Sequence, residues 1–174
     1  RRNKPYEQMS RPGERIQIDV KYVPKDCLSI EFRERYSLSR LYQYTAIDEY
    51  SRYRILSGYL EHDTYASSLF LCQVASSFKA LGIEVECVQT DNGMEFTKQF
   101  IAKSENNHSM FEVTAKRLGI RIKRIKPATP KHNGKVERSH REDQRLLYSE
   151  IVRTGKLITD VKDFKRRLKR HQDK

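Results

Sequence analysis

The sequence predicts an α/β domain built on a mixed sheet, and three observations carry that expectation. A period-two alternation opens the ordered part of the chain, two further strand-like runs flank a short polar turn, and from Asp63 onward helical and strand patterns take turns. The resulting order is βββαβαβα with a basic tail. A length of 174 residues suits one domain with a short extension, and 37% hydrophobic residues suffice for a modest core.

Each element has a local reason. Residues 1–13 are polar, contain Pro5 and Pro12 and show no period, which suits an incoming linker. Ile16, Ile18, Val20 and Tyr22 then alternate with Gln17, Asp19 and Lys21, the signature of a strand that places Asp19 on the face opposite the isoleucines. Residues 25–39 read as irregular and charged. LYQYTAID and RYRILSGYL read as an antiparallel hairpin around Glu49, Tyr50 and Ser51, with Tyr42, Tyr44, Tyr50 and Tyr53 as packing groups at the core rim. Asp63 or Thr64 caps a helix whose Ala66, Leu69, Phe70, Val74, Phe78 and Leu81 follow helical spacing, and Gly82 stops it.

IEVECVQT is a strand running into Asp91, Asn92 and Gly93, and open α/β sheets bind ligands at such strand ends. A polar stretch around Lys103 to Ser109 precedes a helix from Met110 to Leu118, and IRIKRI is a fifth strand. After the loop ATPKHNG, Asn133 is placed to cap a helix reaching about Arg153. Its first half is polar, while Leu147, Tyr148 and Ile151 supply apolar surface in the second. The expected organisation is thus a linker at 1–13, a core at 14–154 and a basic helical extension at 155–174. In that extension Val161, Phe164 and Leu168 share one side, and the chain stops within the helix.

Charge narrows the function. Lysine and arginine number 35 against 23 acids, a net charge of +12, and the isoelectric point is near 9.7. A polyanion is the first partner to consider, because cations that neutralise phosphates gain affinity from counterion release. Residues 121–145 hold half of that excess, nine cations against three acids. The longest apolar run, Leu69 to Cys72, is far too short to span a bilayer. Cys27, Cys72 and Cys87 form no CxxC pair, so neither a disulfide framework nor a zinc knuckle is indicated and a reducing compartment fits. With Arg1 first and no apolar leader, the chain reads as an excised internal domain with no expectation of secretion.

Three acids stand out by position: Asp19 within the first strand, Asp91 at the end of the fourth and Glu137 in the first turn of the long helix. If strands one and four are neighbours, all three converge. Mg²⁺ is commonly held by a few carboxylates that leave room for water and phosphate oxygens, and a pair of such ions serves phosphoryl transfer. Each acid also has an ordinary reading: an ion-paired strand residue, an Asp-Asn-Gly turn and a helix-surface charge. Asp48 and Glu49 read as acids ordering the hairpin turn, Glu95 as a partner of Asp91 or a solvated charge, and His132 and His140 lack zinc-site spacing.

QIDVKYV, YTAIDEYSRYRI, QTDNGMEF and TPKHNGKVERSHRED resemble the catalytic core of insertion-sequence transposases and retroviral integrases, the DDE group of the ribonuclease H-like superfamily, over roughly Gly13 to Arg153. The most specific pieces are TDNGMEF and HNGKVER. The resemblance implies a ribonuclease H-like, five-stranded mixed sheet flanked by helices, and it puts the metal-binding acids on Asp19, Asp91 and Glu137. It implies Mg²⁺ or Mn²⁺, two ions in all. Between Asp91 and Glu137 lie 45 residues, longer than the family's D,D(35)E spacing, and the surplus is assigned to the loop around Lys103 to Ser109. Where relatives carry a cation two turns after the glutamate, this chain has Gln144, with Arg141 and Arg145 near that face.

The expected function is therefore end cleavage and strand transfer by a bacterial DDE transposase, with transposon ends and target duplex as partners and a homo-oligomer on DNA. Contacts are expected from Lys131, His132, Asn133, Lys135, Arg138, Arg141 and Arg145. A cytoplasmic, nucleoid-associated location follows from that reading. Two other readings stay open: a ribonuclease H-like nuclease that only hydrolyses nucleic acid, and a DNA-binding or assembly module without catalysis.

Overall fold

A computed structural model describes residues 7–37, 40–97, 108–125 and 134–173. Its centre is one five-stranded sheet in the order β3-β2-β1-β4-β5. Strands β1 (Ile16–Tyr22), β2 (Tyr42–Asp48) and β3 (Arg54–Tyr59) are antiparallel in succession, whereas β4 (Cys87–Thr90) and β5 (Arg121–Arg124) continue parallel from β1. This is the ribonuclease H-like mixed sheet that the resemblance implies.

Alternation along the strands sorts the two faces. Ile16, Ile18, Tyr44, Ala46 and Ile55 meet helix α2 (Thr64–Ala80) through Phe70, Leu71, Val74 and Phe78, and helix α3 (Met110–Arg117) closes that layer with Phe111 and Ala115. Asp63 caps α2 by accepting the Ala66 N–H, as the sequence suggests. Ser109 and Glu112 form a reciprocal capping box on α3. Helical spacing places Leu69 and Leu81 in the core, yet they are 62% and 55% exposed. Leu69 lies on the far side of α2 from the Phe70, Val74 and Phe78 face, and Leu81 sits at the helix end, past the sheet.

On the other face lie α4 (Gly134–Asp143), a π turn (Gln144–Tyr148), α5 (Ser149–Thr154) and α6 (Val161–Gln172). The single long helix read from sequence is thus interrupted. The π turn adds a residue to one turn, so Tyr148 and Ile151 reach the core while Leu146 turns outward. Phe164 and Leu168 of α6 are fully buried, and the Phe164 ring lies against Gly58 of β3, which builds the basic helix into the fold. Residues 25–39 are more regular than their charge suggests. They contain a 3-10 turn (Lys25–Cys27) and helix α1 (Ile30–Tyr36), capped by Ser29 and anchored by buried Phe32.

The strand expected over residues 83–90 forms only from Cys87 onward. Before it, Glu86 donates its N–H to Gly13 O at 2.9 Å and its carbonyl accepts the Arg121 N–H at 2.9 Å, so the incoming segment takes the place of β1 there. Gly13 has φ +81°, and a Cβ at this position would lie 2.2 Å from Glu84 O, so only glycine fits. Of the hairpin tyrosines, Tyr42 and Tyr44 are buried as expected. Tyr50 and Tyr53 stand exposed at the turn.

Candidate active site

Adjacent strands bring two of the three acids together. The parallel register pairs Ile16 with Val88 and Gln17 with Gln89, and the same offset carried two residues on sets Asp91 beside Asp19. Asp19 points to the α4 face, opposite Ile16 and Ile18. Asp91 Oδ1 accepts the Gly93 N–H at 2.9 Å, the Asx turn expected of Asp-Asn-Gly, while Asn92 Nδ2 donates to Ile125 O at 2.9 Å and ties the loop to the strand beyond. The turn and site readings of Asp91 therefore coexist.

Helix α4 carries the third acid and is pinned at its first turn. Val136 is buried and donates its N–H to Gln17 Oε1 at 3.1 Å, and Lys135 Nζ donates to Glu49 O at 2.8 Å. Glu137 follows directly and stays exposed. One turn later His140 sets Nδ1 3.6 Å from Asp19 Oδ2, too far for a hydrogen bond. Further along, Asp143 is fully buried and accepts from Gln43 Nε2 at 2.7 Å and from Arg54 NH1 at 2.7 Å, with His171 Nε2 2.9 Å away. Tyr148 Oη donates to Gln43 Oε1, which extends the network into the π turn.

The electrostatics centre on Asp19. Burial pushes its carboxyl up to about 7; the Val20 N–H opposes this, and the negative charges of Asp91, Glu95 and Glu137 add to it. Three further carboxylates thus lie within electrostatic reach of Asp19. Burial also holds the His140 imidazole down at about 4, reinforced by the Lys21 charge, so between about pH 4 and 7 Asp19 and His140 face each other mainly as neutral groups rather than as an ion pair. Burial alone would raise the Asp143 carboxyl, but hydrogen bonds from His171 and Gln43 with the Arg54 charge outweigh it and hold it below the usual range.

These donors are hard carboxylate oxygens, the chemistry that suits Mg²⁺ or Mn²⁺ and not a thiolate-seeking metal. Among the described residues no three His, Cys, Asp or Glu side chains draw together closely enough to hold an ion. Like-charge repulsion opposes closer approach.

Other groups differ from the sequence reading in instructive ways. Glu95 belongs with the acids: its carboxylate folds back on Gly93, where a Cβ would lie 2.4 Å from Oε2, and His62 Nε2 sits 2.7 Å from Oε1. Its signal in the sequence is its place four residues after Asp91. Asp143 has no such signal, because nothing in a run of charges marks the one that is buried. Asp48 has the structural role expected, accepting from Ser51 N–H and Oγ at 2.6 and 2.7 Å and from Gly13 N–H at 3.0 Å. Arg138, Arg141 and Arg145 are exposed along α4 and the π turn, while Lys135 also approaches Glu49 Oε2 at 3.5 Å. Lys131, His132, Asn133 with its expected cap, and the loop from Lys103 to Asn107 lie outside the described residues.

Comparison with known proteins agrees with the fold. The sequence profile of the family described as "Integrase core domain" matches residues 9–130, a span that includes Asp19 and Asp91 and ends before Glu137. No curated protein matches the chain in sequence. Among solved structures, a chain of the simian T-cell lymphotropic virus intasome in complex with PP2A regulatory subunit B56 gamma superposes with a TM-score of 0.62 at 20% identity, over 97% of this chain. This chain spans 54% of that one. The catalytic core domain of BIV integrase superposes with a TM-score of 0.59 at 19% identity, over 90% of this chain and 81% of that one. At such identities the structural likeness establishes the ribonuclease H-like fold, and the profile match over most of the sequence establishes that the chain belongs to the integrase core domain family.

Proposed function

We propose that this domain is the catalytic core of a DDE-type transposase that cleaves transposon ends and joins them to target DNA. The observation that carries the reading is the gathering of acids from three elements around Asp19: Asp91 beside it in the sheet, Glu137 on α4, and the electrostatic pressure of both on the Asp19 carboxyl. Asp19, Asp91 and Glu137 would hold Mg²⁺ or Mn²⁺. Such cations, when bound as a pair, activate the attacking oxygen and stabilise the leaving one.

The remaining work falls to the chain itself. The Gln17 to Val136 hydrogen bond sets the first turn of α4 against β1, which keeps Glu137 near Asp19. Arg141 and Arg145, exposed on α4 and the π turn, together with Lys131, His132 and Asn133, attract the DNA backbone beside the acids. Water then attacks the phosphodiester at the transposon end and releases its 3'-hydroxyl, which attacks a target phosphodiester and displaces the 3'-oxygen of the target strand, with no covalent enzyme intermediate. A homo-oligomer on DNA brings the ends together.

Asp19→Asn, Asp91→Asn and Glu137→Gln should each abolish cleavage and strand transfer in Mg²⁺ while duplex binding persists, with Glu34→Gln at an exposed position of α1 as a control that keeps activity. Wild-type cleavage and joining by Glu137→Gln would remove that residue from the assignment. Cleavage without joining to a second DNA would indicate a hydrolytic nuclease, and no metal-dependent cleavage at all would indicate a binding module.

A further inference from the structure

A second groove runs along α4, on a different side from Glu137. One wall is Arg52 of the β2–β3 turn with Arg54 at the start of β3; the other is the helix stripe Lys135, Arg138 and Glu142; His171 and Gln172 of α6 also line the cavity, which is about 830 Å³. At 100° per residue, Glu137 lies roughly 130° around the helix from the centre of that stripe. A backbone lying in this groove therefore does not lie on the acids.

Its cations are not equivalent. Arg54 is committed to Asp143 at 2.7 Å, and Lys135 is tied to Glu49. Among the described residues Arg138 pairs only with the exposed Glu142 at 3.8 Å, a weak i,i+4 pair that is readily surrendered. The Arg52 guanidinium has no hydrogen bond or ion pair among the described residues.

Arg52 also stands in a costly place. Its φ is +66°, the left-handed region where glycine or asparagine is the usual choice. The turn closes without its side chain, through Asp48 to Ser51, Arg52 N–H to Asp48 O at 3.0 Å and Asp48 N–H to Tyr53 O at 2.9 Å. Burial lowers the affinity of the Lys135 amine for its proton, the Glu49 charge opposes this, and the Arg52 charge adds to it by repulsion. A cation that strains the backbone and repels its neighbour, with no role in closing the turn, has a reason to be there if an anion enters the groove.

We propose that Arg52 and Arg138 clamp the phosphate backbone of a DNA duplex in this groove, a segment separate from the one at Asp19, Asp91 and Glu137. The planar guanidinium fork suits phosphate oxygens. The inference rests on the DNA-transferase reading above, and the two can fail separately. The groove adds affinity and salt dependence, not chemistry.

The test is equilibrium binding of a fluorescent duplex of about 30 base pairs, long enough to reach both the acids and the groove, to the full chain across a salt series. Arg52→Gly is the informative variant, because glycine relieves the left-handed backbone: thermal stability should hold or rise while duplex affinity falls about three- to tenfold, with Arg52→Lys restoring part of it. Arg52→Gly combined with Arg138→Ala should reduce the slope of log K against log salt by about 2, near 0.9 for each phosphate no longer neutralised. Unchanged affinity and slope in a folded double variant that binds duplex like wild type would overturn the groove and leave the transferase reading standing. No duplex binding by wild type would overturn both. Loss of poly-glutamate binding with duplex binding intact would assign the groove to an acidic protein and overturn the proposal.

Discussion

The two helices that cover opposite faces of the sheet are held by different physics. Under α2 the contact is apolar, Phe70, Leu71, Val74 and Phe78 on Ile16, Ile18, Tyr44 and Ile55. Under α4 it is polar: Val136, Ser139 and Asp143 are its buried residues, and they meet Gln17, Gln43 and Arg54. Apolar packing is non-directional and tolerates repacking at similar volume. Hydrogen bonds to buried charge demand one geometry, because a displaced partner is left desolvated and unpaired. The helix that carries Glu137 is thus held in register, whereas the helix that carries no site residue is held by surface area.

The largest expected effect tests the apolar side. Phe70→Ala should destabilise by about 3–5 kcal/mol in urea unfolding, as other large buried truncations do. Asp143→Asn should cost about 2–4 kcal/mol, since it leaves Arg54 without its charge partner in a partly buried setting. Hydrogen exchange sharpens the contrast: Asp143→Asn should speed exchange along α4 and leave α2 unchanged. If Asp143→Leu proved no more destabilising than Phe70→Leu, the polar interface would have no special role in positioning α4.

A smaller effect is set by pH. The Asp19 carboxyl rises from 3.8 to about 7 on folding, so its contribution to stability is complete below about 4 and is lost as pH rises through 7. His140 falls from 6.5 to about 4, so its contribution is present above 6.5 and is lost as pH falls through 4. Between about pH 4 and 6.5 the two slopes oppose each other. In metal-free buffer, Asp19→Asn should reveal stability that rises with pH across that window, by at most about 1.4 kcal/mol per pH unit, and His140→Gln should reveal the reverse. Equal slopes in both variants would contradict two neutral groups facing each other.

The smallest effect concerns the π turn. Tyr148→Phe removes the hydroxyl that donates to Gln43 and should cost about 1–2 kcal/mol in urea unfolding. An unchanged midpoint would show that burial of the ring alone seats the π turn.

Much of the site is legible in the sequence because local rules place it. Alternation puts Asp19 opposite Ile16 and Ile18, strand length puts Asp91 at a carboxyl end, and the Asp63 cap begins α2 where it is expected. Helix α1 is not legible, because one buried residue, Phe32, anchors a segment otherwise rich in charge. Glu95 can be read as a nearby acid but not as a partner of His62, because their meeting depends on how two loops fold over Gly93.

By itself the sequence determined the strands, the helices other than α1, the hairpin, the basic character and the acids at chemically useful positions, all properties set by neighbours within a few residues. The tertiary structure decided which strands adjoin, which of several like charges is buried, and where the long helix slips register at the π turn. Those outcomes depend on partners far along the chain: Asp143 is buried because Gln43, Arg54 and His171 close around it, and none of the three is local to it.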